Sequence, residues 1–503
     1  MLAWTIYISF LGVLVLMLLP RDAARAARIV ALATAVLGCA VALAGALQQT
    51  RQTNPGELVT IIQLNWIPAI GATYFLAADG ISLMLVVLTG LAAIAGILFS
   101  WNIEKRTKEF FAFYLALIGG VYGVFLSFDL LLLFVFYELT IIPKYFLIAR
   151  WGSTRKEYGA MKLALYSFVG SHLVLIGLIA AWAVARAQTG QTTLNLVTLS
   201  QVAFPAGFQH WVFPLVFVGF AILAGMWPFH TWAPTGHVAA PTAGSMLLAG
   251  VVMKLGAYGC LRVAMVLFPQ GVRDWQWAIA ALAVIGIIYG AGVALVQRDF
   301  KFVIGYSSVS HMGFVLLGLA TLNTIGLDGA VLQMFSHGII AGLLFGVVGR
   351  MVYDRTHTRD FNDLEGMNLG RLLPFAGVTF ALAGVASMGL PGFSGFVAEF
   401  QVLMGAWQVY PKMTLLAGVG IIIGVAYTLR ALQKAFYSDL PAPAKTGHDD
   451  HPLDPITVPE RAGAVLLIAA SLVIGLFPRL LMDWIEPCFK SPLFARLLNG
   501  GAQ

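Results

Sequence analysis

WVFPLVFVGFAILAGMWPFHTWAPTGHVAAPTAGSMLLAGVVMKLGAYGCLR occupies residues 211–262. It opens as an apolar helix from Trp211 to about Gly225 and then breaks at Met226-Trp227-Pro228-Phe229-His230-Thr231-Trp232-Ala233-Pro234. Proline lacks a backbone donor and clashes with the preceding turn, so Pro228 and Pro234 together end a regular helix. At membrane depth such a break persists only where protein or a water-filled cavity surrounds the freed carbonyls. A second apolar helix follows and carries one lysine, Lys254, in Val251-Val252-Met253-Lys254-Leu255-Gly256. At 1.5 Å per residue, Lys254 falls about 18 Å along that helix. A charge at that depth costs several kcal/mol and marks a functional site.

Composition sets the solvent. Of 503 residues, 59% are hydrophobic and 11% charged, about half the charge of a soluble domain. The reading is an all-α polytopic membrane protein of about fourteen transmembrane helices. The net charge of +7 does not point to nucleic acid, because the basic residues lie in short loops rather than on one face. Cys39, Cys260 and Cys488 are far apart, with no spacing suited to haem or an iron–sulfur cluster. The segment from Leu2 to Pro20 lacks a basic start and a small-residue cleavage site, and reads as a retained first helix. Basic residues collect in alternate loops: Arg21, Arg25 and Arg28; Lys105, Arg106 and Lys108; Arg150, Arg155 and Lys156; Arg298 and Lys301; Arg350, Arg355, Arg359 and Arg371. By the positive-inside rule these loops are cytoplasmic and both termini face outward.

The break at Pro228 has a counterpart five spans later, Met388-Gly389-Leu390-Pro391-Gly392-Phe393-Ser394. An odd offset inverts topology, so two inverted five-helix repeats are expected, with broken helices at spans 7 and 12. The divisions are 1–109 for the N-terminal helices, 110–267 and 268–437 for the repeats, 438–460 for a cytoplasmic linker and 461–503 for the last helix and tail. Paired interrupted helices point to the ion path of a transporter; two ordinary proline kinks are the alternative.

Other ionisable residues interrupt the apolar runs: Glu138 in Phe136-Tyr137-Glu138-Leu139, His311 in Ser310-His311-Met312, His337 in Ser336-His337 and Glu399 in Ala398-Glu399-Phe400. A lone helical histidine packs more often than it relays; two at matched depth beside Ser and Gln bring the two readings level. Read together, Glu138, Lys254, His311, His337 and Glu399 form a polar line near mid-membrane. Groups held at low dielectric exchange protons nearer neutrality than they do in water, which suits proton conduction. No two share a helix at metal-ligand spacing. His448-Asp449-Asp450-His451 looks more like a ligand cluster, but its proline-rich setting reads as solvated linker.

At these residues the chain resembles the antiporter-like subunits of respiratory complex I, in their M-type branch. The resemblance rests on Tyr137-Glu138-Leu139, Ala240-Pro241-Thr242-Ala243-Gly244-Ser245, Met253-Lys254, Tyr306-Ser307-Ser308-Val309-Ser310-His311-Met312-Gly313 and the loop Tyr353–Asp360, and covers about Phe110 to Tyr437. It implies proton translocation in a bacterial inner membrane beside neighbours of the L and N type. It also implies no cofactor on this chain, with NADH, FMN, iron–sulfur clusters and quinone on partner subunits. The family's essential residues fall on Glu138, Lys254, His311, His337 and Glu399, with one gap. The span-seven lysine, five residues before Pro228, is Leu223 here, and no lysine occurs between Lys162 and Lys254. Glu138 thereby loses its expected counter-charge. His172, ten residues into span six at similar depth, is the candidate replacement, with a packed structural histidine as the alternative. Two other functions stand beside the first: a cation/proton antiporter subunit, which the His357–Asp360 loop argues against, and a membrane-arm subunit that has lost pumping.

Overall fold

The computed structural model describes residues 1–438 and 453–498. The expected run His448–His451 lies outside the described residues. Among the described residues twelve helices are long and apolar enough to cross a membrane, and Trp4–Leu18 and Pro374–Ser387 are shorter apolar helices. The protein is an all-α polytopic membrane protein with one departure. Residues 59–78 form an antiparallel hairpin, Val59–Ile67 with Ala72–Ala78. This stretch is uncharged and largely apolar, but Pro68 and Gly71 interrupt it, and Val59, Ile61 and Ile62 favour a strand. Gly71 supplies the left-handed turn at φ +70°. The hairpin closes one end of the bundle, where the Thr73 amide donates to the Asp129 carboxylate at 2.8 Å.

Span starts are set by aspartate caps. Asp129 accepts from the Leu131 and Leu132 amides at 3.0 and 3.2 Å, opening Leu130–Leu139. Asp299 does the same for Phe300–Ala320 through the Lys301 and Phe302 amides at 2.8 and 3.2 Å. Each satisfies donors that the first helical turn leaves orphaned.

Two helices sit at the centre. The apolar windows of Thr242–Met265 and Thr324–Thr356 are wholly buried, against 28% and 33% for the peripheral Pro411–Phe436 and Val458–Leu476. Small residues let the central backbones close. A Cβ on Gly256 would lie 2.4 Å from the Ala224 nitrogen and 2.5 Å from the Phe220 carbonyl oxygen, so Thr242–Met265 lies against Ala206–Ala224 backbone to backbone.

Both expected breaks are present. Ala206–Ala224 ends at Gly225 with φ +84°, and the chain resumes through a 3-10 turn at Phe229–Thr231 into Trp232–Ala239. Pro374–Ser387 stops before Gly389 at φ +75° and Gly392 at φ +100°, and Ser394–Val409 continues. A further interruption divides Leu130–Leu139 from Ile141–Trp151 at Thr140, where Pro143 withholds the amide that the Leu139 carbonyl would accept. Near one end, Glu460 bridges Arg350 Nε at 2.6 Å and an Arg355 terminal nitrogen at 2.8 Å, all three largely buried. Arg355 and Arg359, expected as loop charges, are thus built into the fold.

Candidate functional site

The helix that carries Lys254 is not regular. Wide π turns occupy Leu248–Val252 and Cys260–Met265, with Met253–Gly259 between them. Such turns shift backbone pairing by one residue and recur at functional sites. Lys254 is fully buried and its ammonium donates to the Ala249 carbonyl, inside the first π segment. It also meets His337 Nδ1 at 2.7 Å. An ammonium has only protons to give, so Nδ1 accepts and the His337 proton belongs on Nε2.

From His337 the polar groups continue across three helices. The His337 and His311 rings lie 5.5 Å apart, tilted by 31°. His311 Nδ1 is 2.7 Å from Glu399 Oε1, and its Nε2 is 3.0 Å from Ser387 Oγ. Gln333 donates to the same Glu399 oxygen at 2.9 Å. Ser307, Gln333, Ser336, both histidines and Glu399 line a cavity of about 10 Å³, at the threshold for one water molecule. Lys254, His337, His311 and Glu399 therefore form one buried line, four of the five residues expected on it.

Two further buried groups, not singled out from the sequence, carry ionisable side chains near Lys254. His237, on Trp232–Ala239 after the first break, is fully buried with both ring nitrogens lacking hydrogen-bond partners. The charges of Lys254 and Lys301 both act on it. Lys301, expected as a loop charge, is 2% exposed and donates to the Ala240 carbonyl at 3.2 Å. It lines a cavity of about 180 Å³ with Asn102, Trp151, Tyr353 and Asp354. A signal for His237 was available: it is the second histidine of the broken segment, three residues past Pro234.

Glu138 lies elsewhere, half-buried, with its Oε1 sealed from solvent and without a hydrogen-bond partner. The expected pairing with His172 is corrected. His172 is exposed on the outer surface of Lys156–Thr189, where its Nδ1 lies 2.7 Å from the Phe168 carbonyl of its own helix. Matched depth on neighbouring helices did not place the ring on the inward face. Leu223 is 1% exposed in the apolar core. A buried lysine shares the span with Glu138: Lys144, on Ile141–Trp151 and 1% exposed. The sequence reading overlooked it because it sought a lysine near Pro228. Among the described residues no cluster of three or more His, Cys, Asp or Glu is arranged to hold a metal ion.

Comparison with known proteins places these features. The family described as NADH:quinone oxidoreductase/Mrp antiporter, transmembrane, matches residues 127–424. NADH-quinone oxidoreductase subunit M of Rhodobacter capsulatus is 38% identical over 86% of this chain and 84% of its own. The subunit of that name from Escherichia coli is 35% identical over 96% of each. In three dimensions the chain is similar to one in respiratory complex I from Thermus thermophilus, with TM-score 0.87, 28% identity, and 99% and 100% of the two chains covered. A chain of the Mrp complex from a Dietzia species shares the fold, with TM-score 0.82 at 21% identity and 99% and 97% coverage.

Proposed function

The chain belongs to the NADH:quinone oxidoreductase/Mrp antiporter transmembrane family, and from that premise we propose that it is a proton-translocating membrane-arm subunit of an NADH-quinone oxidoreductase. The observation that carries the reading is the buried line Lys254–His337–His311–Glu399, each member in contact with the next or within a ring's reach of it. Protons are taken up through the cavity at Lys301, pass His237 to Lys254, and leave by way of the histidine pair and Glu399. Lys254 is the central relay, because its ammonium is held by one carbonyl and one imidazole and has no carboxylate to trap it. Glu399 serves the exit, following the second break on a helix that runs outward from the cytoplasmic side.

Redox chemistry belongs to partner subunits in this reading: NADH, flavin, iron–sulfur clusters and quinone act there, and antiporter-like neighbours of the L and N type flank this chain. The matching aspartate caps at Asp129 and Asp299, five spans apart, support the inverted repeat at 110–267 and 268–437, and the basic residues of alternate loops support both termini outward. The close succession of Lys254, His337, His311 and Glu399 weighs against a subunit that has lost pumping. Tagging the chain and purifying it from native membranes tests the assignment. Quinone-reducing, iron–sulfur-bearing partners are expected, with NADH-driven proton uptake by the sealed vesicles. Recovery in a redox-free complex that exchanges cations for protons would overturn it.

A further inference from the structure

Three lysines are fully buried among the described residues: Lys144, Lys254 and Lys301. Two of them follow one rule. Lys254 donates to the Ala249 carbonyl in a π segment, and Lys301 to the Ala240 carbonyl at the end of a broken helix. Lys144 breaks that rule, since its Nζ is sealed from solvent and has no hydrogen-bond partner. A buried ammonium without compensation is among the most costly groups a fold can hold, so its retention calls for a charge nearby.

The nearby charge is Glu138, which acts on Lys144 across the break at Thr140. Glu138 is in the same condition, with its Oε1 buried and unsatisfied. The two are six residues apart on one span, about 9 Å along an ideal helix axis. On an uninterrupted helix they would point about 120° apart, at 100° per residue. The backbone between them is interrupted, with Thr140 Oγ1 turned back onto the Tyr137 carbonyl at 2.7 Å and Pro143 one residue before the lysine. The break and the four-carbon lysine stem free this pair from the fixed geometry of one regular helix, and neither sealed atom has another hydrogen-bond partner. Leu223, buried in apolar core, supplies no competing charge.

We propose that Lys144 is the counter-charge of Glu138, a positioning residue whose approach and withdrawal decides whether the carboxylate holds or releases a proton. The proposal rests on the proton-translocating reading above and adds a second charged pair to it, apart from the Lys254–Glu399 line.

The test is made in the whole complex, in sealed inside-out vesicles, with assembled complex quantified for each variant. Lys144→Met removes the ammonium and keeps the shape, so assembly should persist while NADH-driven proton uptake falls about fivefold or more, the lower bound of ordinary coupling between sites. Glu138→Gln should lose a similar amount, and the double variant no more than the worse single one. Lys144→Arg keeps the charge and should pump within about twofold of wild type; it decides the matter alone if the methionine variant does not assemble. Wild-type pumping by Lys144→Met, multiplying losses in the double variant, or an arginine variant as poor as methionine would each overturn the pair. Lys254→Met separates the two levels. If it pumps normally the underlying reading fails; if it does not and Lys144→Met does, only the pair fails.

Discussion

Replacing Glu399 by glutamine isolates the contribution of one charge. The side chain is 5% exposed, and its Oε1 accepts from His311 Nδ1 at 2.7 Å and Gln333 Nε2 at 2.9 Å. Glutamine is nearly isosteric, and its carbonyl oxygen can receive both donors, so the fold has little reason to change. A hydrogen bond to an ionised partner contributes about 1.5–3 kcal/mol and a neutral one about 0.5–1.5, so the two bonds together weaken by about 2 kcal/mol. The bond to His311 alone accounts for about 1.3 kcal/mol of this, a factor of about 10 in an equilibrium constant. Glutamine also cannot take up the proton itself, which makes the figure a lower bound. NADH-driven acidification of inside-out vesicles, normalised to assembled complex, should therefore fall by at least about 10-fold in Glu399→Gln. Glu399→Asp keeps the charge one methylene short of His311 and should fall between the two. Wild-type proton uptake per NADH oxidised by the glutamine variant would refute the exit role.

Lys254→Met should abolish most proton uptake while the complex still assembles, and Lys254→Arg should not rescue it, because a guanidinium does not release its proton; uptake assays on both variants check this. His172→Leu should leave pumping and stability at wild-type level, since the ring is exposed and bonds only its own helix; a pumping defect there would reinstate it as a functional group. Glu460→Ala removes the buried carboxylate shared by Arg350 and Arg355, leaving Arg350 with Asp354 and Arg355 with backbone carbonyls, and takes away the acceptor of the Thr457 amide at 2.9 Å. Breaking a buried pair costs about 3–5 kcal/mol, so thermal stability and yield of assembled complex should drop without specific loss of coupling.

Much of the architecture was legible because the bilayer leaves few options. Apolar length gives the spans, and Pro228 and Pro391 give the breaks, which fall where the backbone does turn left-handed, at Gly225 and Gly389. Four of the line residues were legible for the same reason: charge within an apolar run is costly and stands out. The hairpin at 59–78 was not, since an uncharged, largely apolar stretch broken by Pro68 and Gly71 carries no period long enough to decide between strand and helix. Nor were the π turns around Lys254, which no residue type announces. His172 failed for a reason of geometry: depth follows from counting residues, but the face of a helix depends on what packs against it, and the ring turned outward.

The remaining miss has a physical lesson, which is that charge and broken backbone in this protein are one feature. A membrane helix pairs every carbonyl internally, so a buried ammonium finds an acceptor only where that pairing fails. Lys254 finds Ala249 in a π segment, Lys301 finds Ala240 where a helix ends, and Glu399 follows the turn at Gly392. Lys144 stands just beyond the interruption at Thr140, on the same span as the carboxylate it answers. A search for an aligned lysine before Pro228 asks where a relative kept its charge. The search that finds Lys144 asks instead which breaks in this chain have a charge beside them, and Pro143-Lys144 was visible in the sequence to that question.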